Sequence, residues 1–102
     1  MKPPKRIKVG PHRYKVVDDT TGLAANVALV RGSCHHEHLT IALDATLPHT
    51  VKAETLLHEV IHACLDGASL EDGTEETVCR TLGGSLLAAL RDNPDLVRFL
   101  TA

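Results

Sequence analysis

Polar and apolar residues alternate near the N-terminus of this chain and give way to helical spacing after residue 50. Arg6-Ile7-Lys8-Val9 alternates as a half-buried strand does. Gly10-Pro11 supplies a turn, and Tyr14-Lys15-Val16-Val17 reads as the returning strand of a hairpin. Residues 18–22, Asp-Asp-Thr-Thr-Gly, form a second turn cluster. Segment 23–30 fits either a short helix or a strand, its alanines favouring the first and its valines the second. Gly32-Ser33 breaks it, and the polar run Cys34-His35-His36-Glu37-His38 reads as a loop leading into an edge strand. That strand, Leu39-Thr40-Ile41-Ala42-Leu43, alternates large and small residues and is the strongest β candidate.

Beyond Pro48 the period changes. Thr50 is a fair N-cap for a helix over 51–65, with Gly67 as its stop. A loop rich in Gly, Ser and Asp covers 67–73. A second helix is expected over 74–90, where Val78, Leu82, Leu86, Ala89 and Leu90 follow helical spacing. Asn93 caps a last short helix through Leu100, with Pro94 at its first position. Strands come first and helices after. The expected class is therefore α+β: a small antiparallel or mixed sheet of about three strands, then three helices, in one domain over 1–102.

Composition narrows the function classes. The chain has 102 residues, 43% apolar, and only Tyr14 and Phe99 are aromatic, so the core rests on Leu, Val, Ile and Ala. So short a chain buries a modest share of its surface, and a bound metal would help it. No run approaches the roughly 18 apolar residues of a membrane span, and no apolar stretch follows the basic N-terminus as a secretory signal requires. Three cysteines without a CxxC pair, Cys34, Cys64 and Cys79, fit a reducing cytoplasmic setting better than a disulfide framework. The net charge of −2 hides a charge of +6 in the first fifteen residues, which leaves −8 for the remainder. An acidic domain whose basic arm lacks interleaved aromatics is a poor nucleic-acid binder.

The chemistry lies in His58-Glu59-Val60-Ile61-His62, an HExxH on an expected helix. Histidines four residues apart differ by about 40° around a helix axis, so both imidazoles face one point. That suits two nitrogens of a tetrahedral Zn²⁺ site, with Glu59 beside the metal as the base that deprotonates water. No other charge occurs over 55–65. A lone glutamate in an apolar frame needs a reason, because burying an unpaired carboxylate costs several kcal/mol.

A third ligand is expected from Glu75 or Glu76. With Val78 at 0° and about 100° per residue, the apolar set centres near 60°. Glu75 falls at about 60° and Glu76 at about 160°, which favours Glu75 and leaves Glu76 as the alternative. Cys34, His35, His36 and His38 are a weaker metal candidate, because adjacent strand residues point to opposite faces. Cys64 and Cys79 lie on apolar helix positions and read as buried small hydrophobes, with Cys79 facing inward near Glu75 as a further metal candidate.

Glu54-Thr-Leu-Leu-His-Glu-Val-Ile-His-Ala63, its preceding strand and the following Glu75-Glu76-Thr-Val helix resemble the small HExxH zinc metallopeptidases of bacteriophage genomes. The arrangement is also similar to the minimal gluzincin core of the ImmA/IrrE peptidases. There the third ligand is a glutamate on the next helix, in an ExxAN pattern whose positions correspond to Glu75, Val78 and Cys79. Cys79 departs from the polar residue usual in that place. A transition-state-stabilising His or Tyr has no clear counterpart, only the candidates Tyr14, His12, His38 and His49.

The resemblance implies a Zn²⁺-dependent peptidase in a bacterial host cytoplasm, with His58, His62 and Glu75 on the metal and Glu59 as base. Its substrate would be a particular protein, docking as an extended peptide at the 39–43 edge strand with the His35–His38 loop on the rim. The alternative is a catalytically weak zinc-stabilised interaction module. A third reading, a helical binding domain using its basic arm on nucleic acid, requires no metal.

Overall fold

The computed structural model describes residues 1–19 and 31–102, so segment 23–30 lies outside the described residues. Four strands form one mixed sheet: β1 (Arg6–Val9), β2 (His12–Asp19), β3 (Gly32–His35) and β4 (Thr40–Asp44), in the order β1-β2-β4-β3. Three helices follow: α1 (His49–Cys64), α2 (Thr74–Asp92) and α3 (Pro94–Thr101). The class is α+β as expected. Among the described residues no helix is long and apolar enough to cross a membrane.

The β1–β2 hairpin turns at Gly10-Pro11 and sets Ile7 opposite Tyr14. β2 then runs parallel to β4, with Val16 beside Ile41, and β3 runs antiparallel to β4, with Cys34 beside the same Ile41. Paired residues share a face, so Val16, Ile41 and Cys34 form one row across three strands. Tyr14, Ile41 and Ala63 make the central cluster, with Val9, Cys34, Leu39, Leu56 and Val60 packed around it. On the other face Arg6 stands opposite Lys15 and Lys8 opposite Arg13, all exposed. Like charges in such pairs oppose sheet formation, and solvent screening keeps the penalty small.

Two sequence expectations change here. Residues 32–35 form a strand instead of a loop, because Gly32 and Cys34 alone turn inward and the polar Ser33 and His35 suit an outer face. The strand at 39–43, expected at an edge, lies inside the sheet. β4 is paired on both sides, and its Ile41 and Leu43 are completely buried. Between β3 and β4 a 3-10 turn (His36–His38) ends at Leu39, whose φ of 48° is left-handed. That conformation costs roughly 1–2 kcal/mol in a non-glycine residue. Leu39 offsets it by packing on the core and accepting a 2.8 Å hydrogen bond from the Lys15 N–H.

α1 begins at His49 with Pro48 at the N-cap position, so Thr50 lies in the first turn and does not cap it. Lys52 ties this end to the sheet through Asp18, at 3.1 Å, and the Ala45 carbonyl, at 3.2 Å. Thr55, Glu59 and Ala63, four residues apart, are the buried stripe of α1. On α2 the buried residues are Cys79 and Gly83, whereas Leu82 and Leu86 stay exposed by 40% and 37%. Asn93 precedes α3 as expected, but its side chain donates to the Ala89 carbonyl at 2.8 Å and so closes α2. Cys64 is exposed, contrary to expectation, while Cys79 is buried.

Two glycines set how closely α1 is approached. A Cβ on Gly32 would lie 2.7 Å from Thr55 Cγ2, 3.1 Å from the Ala42 carbonyl and 3.3 Å from Glu59 Oε2. A Cβ on Gly83 would sit 3.4 Å from His58 Cβ, an ordinary contact. Gly32→Ala is therefore expected to destabilise the fold by about 1–3 kcal/mol, as overpacking does. Gly83→Ala should be neutral or stabilising by up to about 1 kcal/mol, from helix propensity. Urea unfolding of both variants checks the pair, and equal effects would refute the account of Gly32.

Candidate metal centre

α1 carries the HExxH residues one turn apart, and their imidazole centroids are 5.0 Å from each other. Ligand-type atoms of His58, Glu59 and His62 all lie within 4.8 Å of one another, and this is the group found among the described residues with that property. The first turn of α2 closes the constellation. One Glu76 oxygen lies 3.0 Å from His58 Nε2, and the other lies 2.8 Å from His62 Nε2. Glu75 reaches the opposite nitrogen of the same ring, 2.6 Å from His62 Nδ1.

Charge follows from this arrangement. Burial by itself would lower the His62 pKa, but hydrogen bonds to Glu75 and Glu76 and the charges of Glu59 and Glu76 outweigh it and raise the pKa. Both ring nitrogens face carboxylates, so both are placed to donate, as an imidazolium does. Glu59, 6% exposed, is pushed up to about 7 by burial first; His62 counteracts the rise and Glu76 adds to it. Cys79, on the buried face of α2, is pushed up to about 11, mainly by burial, which keeps it a neutral thiol.

The donor set fits a small divalent cation. Four-coordinate arms of about 2.0–2.1 Å separate neighbouring ligand atoms by about 3.3 Å. The observed 2.8 and 3.0 Å separations need only a small expansion to reach that spacing. Imidazole and carboxylate are ordinary zinc ligands. A carboxylate on the far nitrogen of a ligating histidine is the common outer support of such sites.

The centre opens into a cleft of about 400 Å³, with α1 residues Glu54, Thr55, His58 and Glu59 along one side. Arg31, next to β3, and Arg80, on α2, also line it. Neither arginine was singled out from sequence, although Arg80 lies one turn beyond Glu76 on the same helix, which was a usable signal.

The residues expected to rim the cleft or stabilise a transition state lie elsewhere. Tyr14 is 1% exposed and its hydroxyl pairs with His36 Nδ1 at 3.1 Å. His36 also lies 3.8 Å from Cys34 Sγ and 3.9 Å from Asp66. His12 lines a separate cavity with Tyr14 and Asp66. His35 pairs with Ser33 and His38 with Glu37, so residues 35–38 do not line the metal cleft. His49 starts α1, more than two turns before His58. Comparison with described protein families, curated proteins and solved structures finds no match to this chain.

The Glu59 shift has a consequence for the metal-free protein. Its folded pKa of about 7 exceeds the ordinary 4.5, so the folded state keeps a proton that the unfolded chain releases. The associated stability is complete below pH 4.5 and is lost as the pH rises through about 7. In chelator, melting curves should show wild type losing stability relative to Glu59→Gln across that window. Parallel curves would contradict the burial of an ionisable Glu59.

Proposed function

We propose that this chain is a minimal zinc-dependent metallopeptidase, with Glu59 as general base and His58, His62 and Glu76 as metal ligands. The observation that supports it most is the carboxylate of Glu76 spanning both Nε2 atoms while Glu59 is held buried beside them. Glu75, favoured from helical periodicity as the ligand, is better suited to orient His62. Its oxygen faces Nδ1, which leaves Nε2 to face Glu76.

A zinc ion bound there would supply Lewis acidity, polarising a peptide carbonyl and bringing the pKa of water toward about 7. Glu59 accepts the proton of the attacking water, its carboxyl being held buried beside the two histidines. The same carboxyl then returns the proton to the departing amine. Glu75 holds the Nδ1 proton of His62 and so fixes its tautomer. For an extended peptide, β3 replaces β4 as the docking edge. Among the described residues β3 pairs on one side only, and its Gly32 lies against Glu59.

The alternative, a zinc-stabilised interaction module, is favoured by one observation: only Tyr14, Val16, Ile41, Leu43, Ala63 and Cys79 form the buried apolar set among the described residues. So small a core gains much from a metal. Glu59→Gln separates the two readings. It should retain zinc but lose peptide hydrolysis, whereas a structural module would keep its full biological effect.

Elemental analysis should find about one zinc per chain, lost in His58→Ala and His62→Ala. Glu75→Gln should weaken zinc binding by roughly 10–100-fold, as loss of an outer carboxylate does, with Glu76→Gln weakening it more. Zinc at a hundredfold excess over Kd should stabilise the fold by about 2.7 kcal/mol, read as a higher Tm. No zinc uptake by folded protein would overturn the proposal.

A further inference from the structure

The cleft beside the candidate centre is lined by two arginines as well as by acids. Arg31 immediately precedes β3, and its carbonyl is fixed by a 2.9 Å hydrogen bond from the Asp44 N–H. Arg80 lies on α2, one turn beyond Glu76. Both line the cleft along with His58 and Glu59. The two arginines come from separate elements and therefore border the same space independently.

Their charges are not spent on close partners. Arg80 meets Glu76 only at 3.8 Å, well beyond the roughly 2.7–2.9 Å of a charge-assisted hydrogen bond. No ion pair of Arg31 occurs among the described residues. Of the acids lining the cleft, only Glu76 pairs with either arginine among the described residues. Glu76 spans the two histidines, and the Glu54 carboxylate turns toward Gly84, where its Oε1 would be 3.2 Å from an added Cβ. A guanidinium has a planar fork of donors that matches a carboxylate, and two such forks beside one reacting centre make a site for an anion.

We propose that Arg31 and Arg80 form a carboxylate-recognition site, selecting peptides with an anionic group close to the scissile bond. This rests on the metallopeptidase reading and names its substrate class. The carboxylate is either the free C-terminus of the peptide or an Asp or Glu side chain next to the bond. Either source presents the same two oxygens to the arginines. A substrate carboxylate would give Arg80 a closer partner than Glu76, which spans the two histidines.

The test uses zinc-loaded protein and three peptidyl hydroxamates sharing one chelating group and an Ala-Ala arm. One ends in a free carboxylate, one is amidated, and one is amidated with Asp replacing the first Ala. Affinities are read by calorimetry for wild type, Arg31→Gln, Arg80→Gln and the double variant. Thermal melting confirms that each is folded, as expected for exposed arginines. At least one acidic probe should bind about tenfold or more tightly than the neutral amide. The source of the carboxylate is the one whose probe gains. Each single variant should reduce that gain, and the double variant should bring the acidic probes down to the affinity of the amide. Equal binding of all three probes to wild type, or a preference that survives in the double variant, overturns the recognition site while leaving the metal centre standing. Failure of every hydroxamate to bind, or of zinc to load, overturns the metallopeptidase reading and this proposal with it.

Discussion

His62 has a carboxylate on each ring nitrogen while burial opposes its charge, and the local architecture follows from holding those groups together. Glu75 and Glu76 are adjacent in sequence, yet they reach opposite sides of one imidazole. Glu59 adds a third acid from the same helix as the ring. Carboxylates gathered around one ring repel one another, and positive charge at the centre relieves that repulsion. A protonated His62 provides one such charge, and a divalent ion between the Nε2 atoms would provide more. The arrangement around His62 therefore favours positive charge at its centre.

Holding that focus requires α1 to be approached closely from two sides. Gly32 lets β3 lie against Thr55 and Glu59, and Gly83 lets α2 lie against His58. The approach of β3 at Gly32 covers Glu59, and burial raises its pKa, so the packing and the acid–base chemistry have one origin. A side chain at position 32 would push β3 away from α1 and return Glu59 toward solvent, whereas a methyl group at position 83 fits in ordinary contact with His58. The flanking leucines of α2 are left partly exposed as a result, and Phe99 of α3 is 81% exposed.

Much of the framework was legible because it depends on local chemistry. The alternation of Arg6 to Val9, the Gly10-Pro11 turn and the helical spacing after residue 50 identify elements within a few residues of their observed bounds. The segment at 32–35 was missed because its two inward residues, Gly32 and Cys34, carry too little apolar signal to look like a strand. β4 was recognised as a strand, but its alternation says nothing about how many neighbours it has. Edge or interior is decided by pairing at long sequence separation, and the parallel pairing with β2 made it interior.

The roles of Glu75 and Glu76 divide along the same line. Sequence alone placed two histidines and a glutamate together on α1, since a helix fixes the relation of residues four apart. It also put both acids at the start of α2. Their orientation was read from the leucine stripe, centred near 60° on the helix. The packed face is instead the Cys79–Gly83 stripe, centred at about 120°, because small residues permit the closest helix contact. That rotation carries Glu76 to the Nε2 atoms and leaves Glu75 at Nδ1. Residue spacing determined which groups can share a helix face, while only tertiary contact decided which face meets its neighbour. That choice depends on how closely two surfaces can approach, and a single helix does not contain it.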